Sequence, residues 1–277
     1  MKLIVSPSSF IGRHVLPALE GGWYGARSSE IRSIDFRGVS EVLVAGADPA
    51  IHSSNFDLEN SAEVMIAKQL KASGSPGRLI MLSSRMVYGQ DEFCRIGRIP
   101  VPSTIYGSNK LKLERRITEI LGQGNCLILR CSNIFGYEVG RSTFMGTMCT
   151  DLLDGGVIHL KINGAVRKDF FPVGSFALAL DRVIKAGLTG THNFGAGCSV
   201  SIGDIATNLI GGFGGGRIRA EGTEVAGQFS MSIESLTQSA SCIERLTEEQ
   251  VLTAVQRVGQ QLAANSRGLG LQGSGSN

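Results

Sequence analysis

The sequence has no apolar run long enough to cross a membrane, no C-x-x-C spacing among its cysteines and no stripe of basic residues. The first absence disfavours a membrane-spanning helix, which needs about 20 consecutive apolar residues. The second disfavours disulfides and zinc, so the six cysteines are predicted to be buried free thiols and no metal is expected. The third, together with a net charge of only +3, disfavours a nucleic acid polymer as partner.

The N-terminus also lacks a signal-peptide pattern, because Lys2 leads directly into a short strand and a polar turn. A cytoplasmic location is therefore expected. The 277 residues, of which 42% are hydrophobic, suffice for one large core with a smaller lobe attached. The densest glycine cluster, residues 211–216, predicts a flexible loop. Residues 266–277 lack apolar periodicity and predict a disordered tail.

Strand and helix patterns alternate along the first half of the chain. Strands are predicted near residues 2–6, 22–27, 41–46, 78–83 and 126–131, and helices near 11–20, 59–73 and 106–122. This alternation is typical of a parallel, doubly wound α/β sheet. Such sheets bind ligands at the carboxyl ends of their strands, here beside Ser6, Ala45 and Ser84. The short stretch before the third strand indicates that one βα unit is abbreviated.

Tyr106 and Lys110 are four residues apart in a predicted helix and therefore share one helical face. A free tyrosine has a pKa of about 10, and a neighbouring cation favours its phenolate form and lowers that pKa. Ser84, at a predicted strand end, is placed to hold a substrate oxygen beside the phenol. The three residues predict proton transfer on a carbonyl or carbinol. Taken alone, the pair is more typical of a half-buried aromatic ring beside a solvated lysine, and the surrounding motifs supply the context that favours the functional interpretation.

The order of the surrounding motifs resembles the extended short-chain dehydrogenase/reductase family, which includes the NDP-sugar epimerases, dehydratases and reductases. Residues 79–89 match a strand with a Ser-Ser-x-x-Val-Tyr-Gly ending, and residues 106–110 supply the Tyr-x-x-x-Lys motif. The other matching segments are residues 2–15, 128–136, 167–173 and 191–195. The resemblance covers residues 1 to about 205. It implies an enzyme with a Rossmann-type doubly wound parallel sheet and a small, discontinuous C-terminal substrate-binding lobe.

The resemblance also implies a set of site residues. Tyr106 would be the general acid/base, Lys110 would tune it and bind ribose, and Ser84 would orient the carbonyl. The cofactor-binding residues would be Ser6, Ser8, Ser9, Phe10, Ile11, Gly12, Arg27, Ser28, Ala45, Gly46, Tyr106 and Lys110. The substrate-binding residues would be Ser84, Arg85, Met86, Asn133, Arg141, Thr143 and Arg167.

The phosphate turn departs from the family's Gly-x-x-Gly-x-x-Gly pattern, because Ser6 and Ser9 replace the first two glycines and only Gly12 is present. Glycines there allow the backbone to approach a pyrophosphate closely at a helix N-terminus. Serine is small and can hydrogen-bond phosphate, so adapted binding is favoured over lost binding. The structural alternative is a strand-turn-helix corner without ligand.

The residues after the second strand predict the type of cofactor. An acidic residue there would bind the ribose 2′-hydroxyl of NAD, whereas Arg27 and Ser28 suit the 2′-phosphate of NADP. NADP is therefore predicted, with NAD as the alternative. A solvated arginine in a loop is nearly as consistent with the pattern at Arg27.

Within the family, dehydratases carry Asp-Glu after the catalytic hydroxyl, whereas this chain has Arg85 and Met86. Dehydration is therefore disfavoured, and reduction of an NDP-4-keto-6-deoxy sugar is expected. One alternative is an NDP-sugar epimerase that holds NAD tightly. Another, motivated by Ser6 and Ser9, is a non-catalytic NAD(P)-sensing or scaffold protein.

A small-molecule nucleotide sugar is the expected partner. The helices near 59–73 and 106–122 resemble the pair through which many relatives dimerise, so a homodimer is a further expectation. The NAD(P)-binding domain is expected over residues 1–136 plus about 165–198. The substrate-binding lobe is expected over about 137–164 and 199–265.

Overall fold

The computed structural model of the protein describes residues 1–74, 77–239 and 243–268. The chain divides into two compact units, each made of three segments. The first unit comprises Met1–Ser132, Val173–Gly195 and Met231–Glu244. The second unit comprises Asn133–Pro172, Ala196–Ser230 and Arg245–Asn277.

The strands are β1 (Lys2–Val5), β2 (Trp23–Ala26), β3 (Glu41–Val44), β4 (Arg78–Ser84), β5 (Phe93–Cys94), β6 (Cys126–Cys131), β7 (Asn133–Phe135), β8 (Val157–Leu160), β9 (Arg167–Lys168), β10 (Phe170–Pro172), β11 (Gly190–Phe194), β12 (Val200–Ser201), β13 (Arg217–Ala220) and β14 (Ser230–Met231). The helices are α1 (Phe10–Val15), α2 (Ala62–Ala72), α3 (Ile105–Leu121), α4 (Phe144–Gly155), α5 (Val173–Lys185), α6 (Ile202–Phe213), α7 (Glu234–Ser239) and α8 (Glu248–Gly268). Among the described residues, none of these helices is long and apolar enough to span a membrane.

A six-stranded parallel sheet in the order β11-β6-β4-β3-β1-β2 lies at the centre of the first unit. All residues of β6 are buried, as expected for parallel strands covered on both faces. The strand order reverses at β1, which has β2 on one side and β3 on the other. Sheets of this topology bind ligands outside the carboxyl ends of the strands at the reversal, here β1 and β3, where Ser6 and Ala45 follow their strands. This architecture confirms the predicted doubly wound α/β class.

Helices pack in pairs in the first unit, α2 against α3 and α1 against α5. Ser61 and Thr104 begin α2 and α3, because their hydroxyls accept the otherwise unpaired N–H groups of the first turns. Between β2 and β3 the chain forms a 3-10 helix over Ser28–Ser33 in place of an α-helix. This is the abbreviated βα unit that the sequence predicts.

The second unit contains three two-stranded sheets and helices α4, α6 and α8. The pairs β7-β10 and β8-β13 are parallel, and β9-β12 is antiparallel. Helices α6 and α8 pack together at very short range. A Cβ atom on Gly212 would lie 2.0 Å from the Gln256 carbonyl oxygen, and one on Gly259 would lie 2.3 Å from that of Leu209. Only glycine permits this contact.

Two expectations from the sequence need correction. The glycine cluster at 211–216 is not simply a loop, because α6 continues through Gly211 and Gly212 to Phe213. Packing against α8 outweighs the low helix propensity of glycine. The predicted tail also begins later than residue 266, because α8 extends to Gly268. Residues 269–277 of that tail lie outside the described residues.

The largest differences between the two units and the predicted domains are at two places. Residues 165–172 belong to the second unit, where Phe171 of β10 lies opposite Ile134 of β7. The chain returns to the first unit at residue 231, where the Ser232 N–H donates to the Cys94 carbonyl at 2.9 Å. Hydrogen bonds between segments that are distant in the sequence determine both differences. Local sequence patterns therefore do not predict these differences.

Candidate active site

The turn after β1 is closed by its own hydrogen bonds. Ser6 has a φ of 61°, in the left-handed region that favours glycine, and its N–H donates to the Ala26 carbonyl at 2.9 Å. The Ser9 hydroxyl accepts the Gly12 N–H at 2.9 Å and donates to the Ala45 carbonyl at 3.0 Å. The Ser9 hydroxyl proton is therefore engaged within the protein, although the sequence suggested that it would bind phosphate.

Two glycines make this turn sterically feasible. A Cβ atom on Gly12 would lie 2.4 Å from the Ser6 carbonyl oxygen. A Cβ atom on Gly46 would lie 2.6 Å from the Ser6 Cβ. Ser6 thus occupies the space that the missing side chain of Gly46 leaves open, so the serine at one position is compensated by the glycine at the other.

The other predicted cofactor residues of the turn differ in exposure. Ser8 is exposed, Ile11 is half-buried and Phe10 is buried. The Phe10 ring lies edge-on to the imidazole of His14, with 5.0 Å between ring centroids. Of the hydroxyls in this turn, that of Ser8 is the one on an exposed residue.

Arg27 and Ser28 are exposed at the end of β2. The Arg27 N–H donates to Oε2 of Glu30 at 2.8 Å, which holds a carboxylate beside the residue expected to select the cofactor. Glu30 is not among the site residues predicted from the motifs. Glu30 lies three residues after Arg27 in a stretch rich in serine. This pattern is typical of a turn, and such a turn places the Glu30 carboxylate beside the end of the strand.

The segment after Ser84 and the start of α3 are in close backbone contact. The Ser84 hydroxyl accepts the Met86 N–H at 3.2 Å and begins a 3-10 helix over Arg85–Tyr88. A Cβ atom on Gly107 would lie 2.3 Å from the Met86 carbonyl oxygen, so the first turn of α3 lies directly against that helix. Both Ser84 and Tyr106 are half-buried, so neither residue is fully enclosed by the protein.

Lys110 is buried. Its Nζ donates to the Leu82 carbonyl at 3.0 Å and lies 3.8 Å from Oε1 of Glu63, a buried carboxylate on α2. Glu63 is likewise not among the site residues predicted from the motifs. It stands at the first position of an i, i+3, i+4, i+7 series whose other members, Ile66, Ala67 and Leu70, are all buried. A charged residue at a position of the buried helix face indicates that an oppositely charged side chain is buried beside it.

His52 is a third residue that the sequence motifs do not place in the site. It ends the 3-10 helix over Pro49–His52 and is exposed. Its ring stacks on that of Tyr106, with centroids 4.8 Å apart and planes inclined by 13°. No motif signals this contact, because the two residues are far apart in sequence.

A buried polar network supports this part of the first unit. Arg130 donates from Nε and Nη2 to both carboxylate oxygens of Glu114, and from Nη1 to the Tyr88 hydroxyl at 3.0 Å. Glu114 also accepts the Ser83 hydroxyl, and the Tyr88 hydroxyl donates to Oδ1 of Asn193 at 2.7 Å. Burial alone would lower the pKa of Arg130, but the hydrogen bonds and charge of Glu114 outweigh it and raise that pKa. Burial raises the pKa of Tyr88. The network links β4, α3, β6 and β11.

Arg85 and Met86, which follow Ser84, are half-buried. Burial lowers the pKa of the Arg85 guanidinium, and its Nη1 donates to the Gly89 carbonyl at 3.3 Å. The position where dehydratases of the family carry acidic residues is thus occupied by a guanidinium and a thioether.

The remaining predicted substrate residues lie in the second unit and contact other protein groups there. Arg141 Nη1 lies 3.4 Å from Oε1 of the buried Glu138, and the Thr143 hydroxyl donates to Oε2 of the same carboxylate. Arg167 pairs with Glu248 at 2.7 Å and donates to the Ser199 carbonyl. Each of these groups is therefore already held in place by a partner.

Asn133 of β7 donates its N–H to the Asp169 carbonyl at 3.3 Å. The Asp169 side chain is fully buried, and its carboxylate accepts the N–H groups of Ala196 and Gly197 at 2.9 and 3.0 Å. Asp169 thus anchors the strand pair that carries Asn133. The aspartate of the Arg-x-Asp-Phe motif therefore has a structural role, because its carboxylate accepts backbone N–H groups from another segment.

Among the described residues, no group of three or more His, Cys, Asp or Glu side chains is arranged to hold a metal ion. Five cysteines are described and all are free thiols, with four buried and Cys198 half-buried. Burial raises the pKa of the Cys131 thiol to about 12 and that of Cys149 to about 11. The sixth, Cys242, lies outside the described residues.

Comparison with solved structures shows which fold this is. A UDP-N-acetylglucosamine 4-epimerase from Methanobrevibacter ruminantium M1, in complex with UDP-N-acetylmuramic acid, is 15% identical with a TM-score of 0.79, covering 95% of this chain and 98% of that chain. RMD from Pseudomonas aeruginosa, complexed with NADPH, is 19% identical with a TM-score of 0.76, covering 94% and 99%. MoeE5 in complex with UDP-glucose and NAD is 18% identical with a TM-score of 0.75, covering 94% and 98%. No family model matches the chain.

The chain therefore has the fold of the extended short-chain dehydrogenases/reductases, which confirms the resemblance drawn from its motifs at the level of the fold. The similarity extends over nearly the whole chain.

Proposed function

We propose that the protein is an NADP-dependent oxidoreductase of the extended short-chain type that reduces a keto-sugar nucleotide. The observation that carries this proposal is the position of α3. Gly107 lets the first turn of α3 lie against the helix that begins at Ser84, and the neighbouring Tyr106 is half-buried. Lys110 is anchored at the Leu82 carbonyl. A scaffold or sensor protein would have no chemical need for these three side chains together.

The turn after β1 fits a dinucleotide even though it lacks two of the family's glycines. A Cβ atom at Gly12 or Gly46 would collide with Ser6, so both glycines allow the turn to close tightly at the carboxyl ends of β1 and β3. Backbone exposed at the start of α1 is suited to a pyrophosphate. Ser8 offers an exposed hydroxyl to the same group, and Arg27 and Ser28 would meet a 2′-phosphate.

In the proposed reaction, the turn after β1 and Arg27 would hold the dinucleotide, and its nicotinamide would supply the hydride for the new C–H bond of the product. Tyr106 donates its phenolic proton to the carbonyl oxygen, so that the C=O double bond becomes C–OH. Ser84 holds that oxygen by a hydrogen bond, and Lys110 supplies the positive charge that stabilises the phenolate left behind. The phenolate then recovers a proton from water.

Most of the proposed substrate-binding residues belong to the second unit. We assign substrate contacts to Asn133, Arg141, Thr143 and Arg167, in addition to Ser84, Arg85 and Met86 of the first unit. The solved structures of similar fold contain UDP-sugars, which supports a nucleotide sugar as the substrate class. A role in carbohydrate biosynthesis, a cytoplasmic location and a homodimer belong to the same proposal.

A second candidate is an NDP-sugar epimerase that keeps NAD bound. The observation in its favour is Glu30, whose carboxylate is held at the backbone of Arg27. A carboxylate at the end of the second strand is suited to the ribose 2′-hydroxyl of NAD and repels a 2′-phosphate. The two candidates differ in cofactor turnover, because an epimerase returns the hydride to its substrate within each cycle.

The test is a stoichiometric assay. The purified protein is incubated with excess NADPH and a panel of NDP-4-keto-6-deoxy sugars, while absorbance and product are followed together. A reductase consumes one NADPH per sugar reduced. A change of sugar configuration with no net NADPH loss, together with NAD that copurifies with the protein, would support the epimerase instead.

Tyr106→Phe tests the assigned acid. We expect turnover to fall by about 10²- to 10⁴-fold, as is usual for a general acid/base, while NADPH affinity is retained. Tyr24→Phe, at an exposed position of β2, is the matched control and should behave as wild type. Turnover of Tyr106→Phe within a few-fold of wild type would remove Tyr106 from the mechanism.

A further inference from the structure

His52 is placed against Tyr106 with a defined geometry. The two rings are nearly parallel, with planes inclined by 13° and centroids 4.8 Å apart. This is the spacing of offset-stacked rings. His52 is exposed, so burial of the imidazole in a core does not explain the contact. One face of the Tyr106 phenol is therefore covered by a side chain from a different element.

The backbone at His52 is fixed by the helix that carries Tyr106. Asn109 is buried, and its Nδ2 donates to the carbonyl oxygens of Ile51 at 3.0 Å and Ser53 at 2.9 Å. These are the two carbonyls that flank His52, and both require the amide nitrogen of Asn109 as donor. Since Tyr106 and Asn109 lie within one turn of α3, a single rigid element holds both rings.

The same segment is anchored from two further sides. The Asp48 carboxylate accepts the Ala50 N–H at 2.8 Å and caps the 3-10 helix that ends at His52. Ile51 is buried in the hydrophobic core of the first unit. Consequently the loop after β3 is not free to carry His52 away from the phenol.

We propose that His52 is a positioning residue for Tyr106, a role that deepens the function proposed above and rests on it. The imidazole covers one face of the phenol and limits rotation of the ring, so that the hydroxyl is presented in one orientation. Asn109 contributes indirectly, because its hydrogen bonds hold the backbone on both sides of His52. The property required of His52 is a flat ring, and proton exchange by its nitrogens is not required.

The stack itself is tested by proton NMR without any need for turnover. The chain contains four histidines and four tyrosines, so the His52 signal is assigned by its loss in His52→Phe, and the Tyr106 signal by its loss in Tyr106→Phe. We expect the His52 imidazole signal to be shifted upfield by the Tyr106 ring. This shift should persist in Tyr106→Phe and disappear in Tyr106→Leu. An unchanged His52 shift in Tyr106→Leu would overturn the inference.

Positioning is tested by replacing His52. In protein with isotope-labelled tyrosine, His52→Ala should move the Tyr106 ring signals toward the averaged values of a mobile ring, whereas His52→Phe should keep them near the wild-type positions. Kinetically, His52→Ala should lower kcat by about 10-fold with KM for NADPH unchanged, because small misplacements of an acid are costly. His52→Phe should stay within a few-fold of wild type. His159→Ala, at an exposed histidine of the second unit, is the control.

Each remaining outcome has one meaning. Unchanged kcat in His52→Ala, or equal losses in His52→Ala and His52→Phe, would overturn a positioning role based on ring stacking. If wild type reduces no sugar in the panel, the proposed function fails, and the NMR signals of Tyr106 alone decide whether His52 orders that ring.

Discussion

The Lys110 Nζ lies 3.8 Å from Oε1 of Glu63, and each side chain is 4% exposed. This pair places two opposite charges inside the first unit, directly beneath the residue proposed as the acid. A second contact, from Nζ to the Leu82 carbonyl, holds the ammonium at the end of β4. The position of the lysine therefore depends on α2 and β4 as well as on its own helix.

We expect Glu63→Gln to lower the free energy of unfolding by about 3 kcal/mol, because the ammonium of Lys110 would remain buried without a compensating charge. Urea denaturation of the wild type and the variant measures this loss. Adding Lys110→Met to Glu63→Gln removes both charges and should recover part of the loss.

Glu59→Gln is the matched control for Glu63→Gln. Glu59 pairs with Lys68 and Arg116 on the surface, and exposed ion pairs contribute little to stability. The control variant should therefore unfold almost as the wild type does. If Glu63→Gln were equally stable, Lys110 would not depend on the buried carboxylate.

The compensation between Ser6 and Gly46 predicts a stability coupling. Gly46→Ala should cost about 2 kcal/mol in the wild type, because its Cβ would lie 2.6 Å from the Ser6 Cβ. In a Ser6→Gly background the same change should cost less than about 1 kcal/mol, and a double-mutant cycle isolates the difference. Ser6→Gly alone should change stability little, since relief of the left-handed serine is offset by the flexibility of glycine in the unfolded chain.

Gly174→Ala in α5 is the control for that cycle. A Cβ atom there would meet nothing within 4 Å, so the variant should gain about 0.5–1 kcal/mol from the higher helix propensity of alanine. Equal costs of Gly46→Ala in both backgrounds would show that Ser6 does not set the requirement for glycine at position 46.

Cofactor preference should respond in opposite directions to changes at Arg27 and Glu30. Arg27→Ala should bring the affinities for NADPH and NADH together, because the charge-assisted contact with the 2′-phosphate is lost. Glu30→Gln keeps an acceptor for the Arg27 N–H but removes the negative charge, so NADPH affinity should rise by about 10-fold. Fluorescence titrations at constant ionic strength measure both changes.

Arg32→Ala controls for general loss of positive charge near β2, since Arg32 donates to Asn60 at 3.1 Å and is exposed. It should leave the preference between the cofactors unchanged. Equal wild-type affinities for NADPH and NADH would mean that the end of β2 does not contact the 2′ position of the ribose.

Alkaline pH should destabilise the protein through Cys131. Burial raises the pKa of its thiol to about 12 from an ordinary value of 9.0, so the unfolded chain releases this proton at a lower pH than the folded chain. The protonated thiol therefore contributes fully to the stability of the folded protein below about pH 9, and this contribution is lost as the pH rises toward 12. Between pH 9 and 12, the free energy of unfolding of the wild type should fall by about 1 kcal/mol per pH unit more than that of Cys131→Ala. Parallel curves for the two proteins above pH 9 would mean that the thiol ionises normally.

The regular elements and the spacing of the proposed catalytic residues are evident from the sequence because they depend on local patterns. The buried run of β6 and the caps Ser61 and Thr104 each lie within one continuous segment. The same is true of Tyr106 and Lys110, whose relation follows from helical geometry alone. These features could be predicted without knowledge of the tertiary structure.

The contacts that complete the candidate site are not local. His52 meets Tyr106 across the packing of a loop on α3, and Glu63 meets Lys110 across two helices. Gly212 lies inside α6 only because α8 packs against it. In each case the decisive neighbour lies 44 or more positions away in the sequence, so neither propensity nor spacing indicates it.

Asn193 has a consequence for the biosynthesis of the chain. Its buried amide donates to the carbonyl oxygens of Cys94 at 3.0 Å and Ser232 at 3.1 Å. The Ser232 acceptor is synthesised only after Ala196–Ser230, a segment of the other unit, has been made. A nascent chain that ends before Ser232 has all six strands of the central sheet but lacks one acceptor for this amide, and an unsatisfied buried donor is costly. The first unit therefore completes its polar interior late in translation, which departs from the usual order in which N-terminal domains fold first on the ribosome.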